Sequence, residues 1–556
     1  MKPEKFNFQQ ACFFLLFCIV SSLCSAQKDG IQSITISNLE SYLYFLAADE
    51  LQGRATGEPG LEIAANYLAS QAKKIGLKAV DDNHDFSQNY IIEDNSIDLE
   101  KSTISIMSPA KDTVVMEEDF YLIVPPDFED FDLSGEIVFA GYGVNSEKFN
   151  YNDFNEVEVK DKIIIIMDRA PLDESGINAK FDDFNWNDPQ NFNYKYAYIS
   201  SLNPKAILLV FDPKSGHNCL SDINPALPKY LSSSKKLKGV EDPYSFYYNL
   251  ATRVFIIHRN VADRLLEGTG MDLQTLQKII DDSLEPHSFP IPQKTINIQF
   301  KVNKKEMSVR NIFGVVEGSD PVFKNEYLLY IAHYDHMGTD PTGEVYNGAH
   351  DNASGSTALL EMAEAFILEK NKTKRSIGFL WVSAEELGLF GSKFYSDNPI
   401  IPLNQTVAVI NLDMVGRTKT SADTGTTIFG EEVRVMSGDS IEIIGGLQSK
   451  ILMDINKQTL LQMHMTGDYT YNDPDHPYRY FYRSDHINFV RHDIPILCYS
   501  TGTPKDYHQV TDSPDKIDYI KLKKVSDFTF MVGYNIANYK DKIVVDNPFS
   551  KWGGEE

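Results

Sequence analysis

Cysteine is scarce in this sequence. Of 5 cysteines in 556 residues, three lie within the first 26 positions. Only Cys219 and Cys498 remain beyond that segment, so one disulfide is possible but a fold held together by several disulfides is excluded. Cys498 lies in the apolar run IPILCY at 494–499, which favours a buried core residue.

Positive charge and long apolar runs are also limited. The chain has 52 Lys and Arg against 79 Asp and Glu, a formal net charge of −27. Such a charge disfavours nucleic acid or anionic lipid as the main partner. After residue 26 no apolar run is long enough for a transmembrane helix, so we expect no stable membrane span.

The first 26 residues have the pattern of a secretory signal. Lys2 and Lys5 precede an apolar stretch at 11–23, and small residues then lead up to Gln27. We therefore expect export to the periplasm or the medium after cleavage before Gln27. Lipid attachment at Cys24 is the weaker alternative, because a bulky leucine precedes it.

The length of the chain predicts two or three domains. Between residues 118 and 290, short β-rich runs alternate with Asn- and Asp-rich loops, which indicates a separate inserted domain, a β-barrel or sandwich. The segments 27–117 and 291–556 would then form one discontinuous domain around it.

After Asn311 the pattern alternates between strand and helix. Near-continuous apolar runs occur at 327–332, 377–384 and 407–412, and a closing helix is predicted over 519–539. This alternation predicts an α/β fold with a mixed, mainly parallel sheet covered by helices. Ligand sites in such sheets collect beyond the carboxyl ends of the strands.

Five short segments of this region each offer one or two metal ligands, mostly where a predicted strand ends. They are AHYDH with His333, GAHDNASG with Asp351, SAEE with Glu385 and Glu386, NLDM with Asp413, and DYH with His508. Two imidazoles, three carboxylates and one further glutamate suit a pair of divalent ions that share a bridging carboxylate. A nitrogen and oxygen ligand set without thiolates favours zinc, with manganese or cobalt as alternatives.

These segments resemble peptidase family M28, the di-zinc metallopeptidases that are mostly aminopeptidases of the zinc-exopeptidase (phosphorylase/hydrolase-like) fold. The resemblance extends to RSDHINF at 483–489 and FLAADELQGRATG at 45–57. The motifs GYGV at 141–144, YNDF at 151–154 and KDKIIIIM at 160–167 resemble the protease-associated (PA) domain often inserted in these enzymes. The resemblance implies an M28 catalytic domain at 27–117 and 291–556, and a PA-like insert at 118–290.

The resemblance also implies two Zn²⁺ per chain and a role for each ligand. Asp351 would bridge the two metals, His333 and Asp413 would complete one, and Glu386 and His508 the other. Glu385 would be the general base for a water molecule between the metals.

Further residues match family positions around the metals. Asp335 would orient the His333 imidazole, and Tyr507 would donate a hydrogen bond to the developing oxyanion, although Tyr507 could also be a packing residue. Arg483 and Asp485 are candidates for substrate contact, with a structural ion pair as the alternative. Other histidines nearby are expected to be structural or to lie at the pocket edge: His336, His350, His486 and His492.

The predicted function is an exported zinc aminopeptidase that hydrolyses N-terminal residues from peptides. A same-fold carboxypeptidase, dipeptidase or aminoacyl-transfer enzyme is the alternative. M20 peptidases share the ligand types but usually carry their extra domain between the Glu-Glu pair and the last ligands. Here the insert precedes His333, which favours M28. A binding protein with a vestigial site is disfavoured, because all five ligands and Glu385 are present. The Tyr-rich segment 469–482 is expected to give the site an apolar or aromatic wall.

Overall fold

The computed structural model describes residues 28–79, 85–107, 111–114, 120–122, 129–176, 178–181, 183, 186, 192–223, 233–240, 252–340, 342–428 and 431–552. The predicted signal segment lies outside these residues. None of the described helices combines the length and the apolar content needed to cross a bilayer. Cys219 and Cys498 are both buried free thiols, so the possible disulfide is not formed.

The described helices, numbered in chain order, are α1 Lys28–Ser33, α2 Ile36–Leu46, α3 Pro59–Ile75, α4 Phe192–Ser201, α5 Arg259–Leu266, α6 Leu273–Ser283, α7 Ser354–Leu368, α8 Phe390–Asp397, α9 Lys450–Gln462, α10 Ile487–Val490 and α11 Tyr519–Ala537. The predicted closing helix is thus confirmed as α11.

The described strands are β1 Ser87–Ile97, β2 Thr103–Met107, β3 Lys111–Val114, β4 Phe120–Leu122, β5 Phe131–Phe139, β6 Asn145–Ser146, β7 Tyr151–Asn152, β8 Ile163–Met167, β9 Ala206–Val210, β10 Ser233–Leu237, β11 Arg253–Ile257, β12 Phe289–Phe300, β13 Val302–Val316, β14 Tyr327–His333, β15 Gly338–Thr339, β16 Val345–Tyr346, β17 Ser376–Val382, β18 Thr406–Leu412, β19 Arg434–Val435, β20 Ser440–Gly445, β21 Thr466–Asp468, β22 Ile496–Ser500 and β23 Gly502–Thr503.

The chain divides into two compact units. The first consists of Met1–Tyr90 and Ser308–Glu556, and the second of Ile91–Met307. The second unit is wider than the predicted insert of 118–290. The reason lies in strand pairing, because β2 forms an antiparallel ladder with β12 and therefore belongs with the later strands.

The first unit is built on a mixed sheet in which β13, β17, β14, β18, β22, β20 and β21 are neighbours in that order. The four central strands, β17, β14, β18 and β22, run parallel. Every residue of β17 and β18 is buried, as expected for strands covered on both faces. The predicted α/β fold with a mainly parallel central sheet is confirmed.

Helix α7 contacts β14, and α1, α2, α3 and α11 pack against α7 in turn. Local signals fix the ends of these helices. Thr35 caps α2 by accepting a hydrogen bond from the Asn38 amide at 3.2 Å. Helix α3 begins at Pro59 and ends before Gly76, whose φ of 95° is a left-handed cap.

The second unit contains an eight-stranded mixed sheet, in the order β3-β2-β12-β5-β8-β9-β11-β4. Its strands β5, β8, β9 and β11 are parallel neighbours, and helix α4 connects β8 to β9. A sandwich of two large antiparallel sheets, one of the two expected architectures, is not formed by the described residues. The reason is visible in β8 and β9, which are buried at every position and need cover on both faces.

Candidate active site

Adjacent parallel strands carry three of the predicted site segments to one edge of the first unit's sheet. His333 is the last residue of β14, and Asp413 directly follows β18. Glu385 and Glu386 lie in the turn after β17, the neighbour of β14 on the other side. The carboxyl ends of parallel strands meet at the same edge of a sheet, so these side chains converge as predicted.

The other two ligand segments come from loops that face this edge. Asp351 lies in the turn 349–353 that leads into α7, and His508 lies in the loop after β23. Left-handed backbone occurs beside or at the predicted ligands, at Ala384 (φ 57°), Met414 (φ 53°) and His508 (φ 54°). Non-glycine residues rarely adopt this conformation, and it often marks functional sites.

Asp351 stands between two groups of ligand atoms. Its Oδ1 lies 3.3 Å from His333 Nε2, and its Oδ2 lies 3.1 Å from His508 Nε2. On the first side His333 Nε2 is 3.4 Å from Asp413 Oδ1. On the second side His508 Nε2 is 3.1 Å from Glu386 Oε2. The structure therefore brings the five predicted ligands together around Asp351.

His336 joins the second group, where the sequence predicted a structural residue or one at the pocket edge. Its Nδ1 lies 2.7 Å from Glu386 Oε1 and 3.9 Å from Asp351 Oδ2. The ring is buried, and its Nε2 has no hydrogen-bond partner among the described residues. The motif H-x-D-H carried the signal, because it places a second imidazole three residues after His333.

The spacing and the charges of both groups fit metal ions. Two ligand atoms at 2.0–2.1 Å from a tetrahedral zinc ion lie about 3.3 Å apart, close to the separations around Asp351. Asp413 Oδ1 is buried without a hydrogen-bond partner among the described residues. Burial opposes protonation of His333, but the charges of Glu385 and Asp413 raise its pKa well above the usual value. The carboxylates thus draw positive charge into the site.

Glu385 lies beside the first group without being part of it. Its Oε2 is 4.0 Å from His333 Nε2, and its side chain lines the cavity above the ligands. Burial raises the pKa of Glu385 well above its usual value, with His333 acting against this shift. Asp335 fixes this segment, accepting hydrogen bonds from the amides of Glu385 at 3.1 Å and Glu386 at 3.3 Å. The same carboxylate lies 3.6 Å from His333 Nδ1, as an orienting residue should.

The residues predicted to contact the substrate occupy two kinds of position, the cavity wall and the protein interior. Tyr507 lines the cavity and stacks on His508 with ring centroids 3.9 Å apart. Arg483 also lines it and forms an ion pair with Glu431, not with Asp485. Asp485 is fully buried and is not among the residues that line the cavity, so the expected substrate contact by this residue does not match its position. Both of its carboxylate oxygens are buried.

The expected aromatic wall is present at one position. Tyr480 of the Tyr-rich segment lines the cavity and stacks against Tyr471 with centroids 4.2 Å apart. The ring of Tyr480 also lies 4.6 Å from the guanidinium of Arg483.

Two residues hold the ligand loops and were not singled out from the sequence. Arg54 is buried and donates hydrogen bonds to the main-chain oxygens of Tyr334 at 2.8 Å and Asn347 at 2.7 Å. Asp512 accepts hydrogen bonds from the amides of His350 at 2.9 Å and Asp351 at 3.1 Å. Arg54 lies within the motif FLAADELQGRATG and Asp512 lies shortly after His508, so a charged residue in or beside a predicted motif is the signal that could have found them.

Residues 311–532 match the model of peptidase family M28, and this segment contains every residue of both ligand groups. Residues 311–532 therefore form a peptidase family M28 domain.

Among curated relatives, aminopeptidase YwaD of Bacillus subtilis is 27% identical to this chain over 258 residues. That alignment covers 45% of this chain and 49% of YwaD. Leucine aminopeptidase 2 of Trichophyton equinum is 24% identical over 208 residues, which cover 37% of this chain and 35% of the fungal protein. The chain thus spans about half or less of the length of these two relatives.

The fold is similar to that of an aminopeptidase from Aneurinibacillus sp. strain AM-1. The TM-score is 0.52 at 17% identity, and the superposition covers 93% of this chain and 97% of the other. At this identity the likeness establishes the fold.

Proposed function

We propose that this protein is an exported two-zinc aminopeptidase that removes N-terminal residues from peptides. The observation that carries the proposal is the position of Asp351, whose two carboxylate oxygens face His333 and His508 at 3.3 and 3.1 Å. A single carboxylate shared between two ligand groups is the arrangement that a two-metal site requires. The family match over residues 311–532 and the similarity to aminopeptidases support the reaction type.

The residues of each group have distinct tasks in this proposal. His333, Asp351 and Asp413 would hold one zinc ion, and Asp351, Glu386 and His508 the other. Zinc ions held there would supply Lewis-acid activation of the attacking water and of the scissile carbonyl.

Glu385 is the proton carrier. Its carboxylate takes a proton from the attacking water and passes it to the nitrogen of the leaving amine. Burial raises the pKa of Tyr507 well above its usual value, so its hydroxyl keeps its proton and donates a hydrogen bond to the oxygen on which negative charge develops.

The charges around the cavity favour a free amine over a free carboxylate as the substrate terminus. Arg483 is the basic side chain besides the two histidines among the described lining residues, and Glu431 already pairs with it. A carboxypeptidase needs a cation available for the terminal carboxylate. The acidic residues of the site are instead suited to a terminal ammonium group.

Export rests on the segment of residues 1–26 with its basic start and apolar stretch. N-terminal sequencing of the protein recovered from the periplasm or the medium tests it, and a first residue of Gln27 is the expected result.

Substitution of Glu385 tests the reaction. We expect Glu385→Gln to keep its bound zinc while release of leucine and alanine from arylamides falls by at least about a thousandfold. Glu344→Gln, an exposed glutamate outside the cavity, is the matched control and should retain wild-type release.

If zinc-loaded wild-type protein releases no N-terminal residue from arylamides or from C-terminally blocked peptides, the aminopeptidase proposal is wrong. Release of the C-terminal residue from N-terminally blocked peptides would then identify a carboxypeptidase, and hydrolysis of free dipeptides alone would identify a dipeptidase.

A further inference from the structure

One acidic side chain in the cavity has no task in the reaction described above. Glu442 lies in the middle of β20, and its side chain lines the same cavity as Glu385 and His508. Strand β20 pairs antiparallel with β22, so that Glu442 is opposite Ser500 and Ile444 is opposite Cys498. Opposite residues of an antiparallel pair point to the same face, and all four line the cavity. They form one continuous wall.

Glu442 is buried and unpaired in this wall. It is 4% exposed, and its Oε2 has no hydrogen-bond partner among the described residues. Nη2 of the nearby Arg434 donates to Asp468 and Thr470, and the ion pair of Arg434 is with Asp468; its Nη1 is buried without a hydrogen-bond partner among the described residues. Burial raises the pKa of Glu442 to about 7, and Arg434 acts against this shift.

A carboxyl group in such a place is costly unless something compensates it. Moving an ion from water into a protein interior is unfavourable even after the surroundings relax. The attraction of a paired cation can offset this unfavourable free energy. The other members of the wall, Ile444, Cys498 and Ser500, carry no charge. A cationic group entering from the cavity would supply the missing partner.

The distance from the metal ligands suits a long side chain. Asp413 donates its amide to Tyr499 of β22, and β20 is the next strand beyond. Two strand spacings of about 4.8 Å separate the backbones of Asp413 and Glu442 by roughly 10 Å. The four-carbon stem of a lysine covers roughly 6 Å of such a gap. Met414, Ile444 and Cys498 provide apolar surface along the way for that stem.

We propose that this cavity receives the side chain of the N-terminal residue and that Glu442 selects substrates beginning with lysine or arginine. The inference rests on the proposed aminopeptidase function and adds its specificity. Glu442 binds the distal ammonium or guanidinium group and takes no part in bond cleavage.

Lysine and norleucine arylamides provide the sharpest test, because the two side chains share four carbons and differ in the terminal ammonium group. We expect the zinc-loaded wild-type protein to show a kcat/KM for the lysyl substrate at least tenfold above that for the norleucyl substrate. In Glu442→Gln this ratio should fall by at least tenfold. Arginyl substrates should follow the lysyl ones.

Glu432→Gln is the control. Glu432 is an exposed glutamate that precedes β20 in the sequence, and it does not line the cavity. Its lysyl-to-norleucyl ratio should equal that of the wild type. If Glu442→Gln does not fold, the ratio of lysyl to norleucyl kcat/KM in the wild-type protein alone tests the proposed specificity.

A wild-type ratio of one or below, or a ratio unchanged in folded Glu442→Gln, overturns the specificity and leaves the aminopeptidase proposal standing. Absence of release from every aminoacyl substrate overturns the proposed function itself, and this inference with it.

Discussion

The guanidinium of Arg54 donates a hydrogen bond of 2.7 Å to the main-chain oxygen of Asn347, 293 residues away in the sequence. A second bond of 3.0 Å reaches the oxygen of Gly348, three residues before Asp351. The loop that carries the shared carboxylate is thereby tied to the N-terminal segment. Burial lowers the pKa of Arg54 to about 10, so the side chain remains charged at neutral pH.

Removing this side chain should destabilise the first unit. Arg54→Ala leaves several buried carbonyl oxygens without a donor, each costing about 1–3 kcal/mol. We expect the free energy of unfolding to fall by at least about 3 kcal/mol, measured by urea denaturation. Arg491→Lys is the control, since Arg491 is only partly buried and donates to the Asn488 side chain. A loss below 1 kcal/mol in Arg54→Ala would show that the loop is held by other contacts.

His336 should matter for metal affinity at the second group. Its Nδ1 lies 2.7 Å from Glu386 Oε1, either as a ligand or as the partner that orients this carboxylate. We expect His336→Ala to weaken the more loosely bound zinc by at least about tenfold, measured by competition with a chelator. His492→Ala, which removes a partly exposed imidazole beside Asp397, should leave both affinities unchanged. Equal zinc affinities in His336→Ala and wild type would make His336 a purely structural residue.

The buried His486 should make stability depend on pH. Burial lowers its pKa from 6.5 to about 4, while Phe481 accepts a hydrogen bond from its ring at 2.9 Å. Between these values the unfolded chain binds a proton that the folded chain does not bind. Stability should therefore fall as the pH drops from 6.5 towards 4, by up to about 3 kcal/mol for this group.

The comparison of wild type with His486→Gln isolates this effect, because other titrating groups contribute equally to both proteins. Urea unfolding at several pH values from 4 to 6.5 should show a shallower pH dependence for the variant. An equal pH dependence of the unfolding free energy in the two proteins would mean that His486 becomes protonated over the same pH range in the folded and the unfolded chain.

The sequence could locate three of the ligand segments because each of them lies at the end of a strand or directly after it. His333 closes β14 and Asp413 follows β18, so the parallel order of these strands brings them together. Hydrophobic runs identify such strands, and the position of a polar residue after the run identifies the edge of the sheet.

Residues whose role depends on distant contacts could not be predicted in this way. Glu442 sits in the alternating run SIEII, where a polar residue would ordinarily face solvent, and only pairing with β22 turns it into the cavity. For Asp485 the error runs the other way. Its motif predicted a position in the substrate pocket, but the residue is buried in the interior. The extent of the second unit likewise depends on the pairing of β2 with β12, which are far apart in sequence.

Zinc stoichiometry tests the central claim most directly. Elemental analysis of protein purified without added metal should find two zinc ions per chain in the wild type. Asp351→Asn should hold at most one, because the carboxylate shared by both groups is weakened as a ligand. Wild-type protein with one zinc ion or none after zinc reconstitution would contradict a two-metal site formed by His333, Asp351, Glu386, Asp413 and His508.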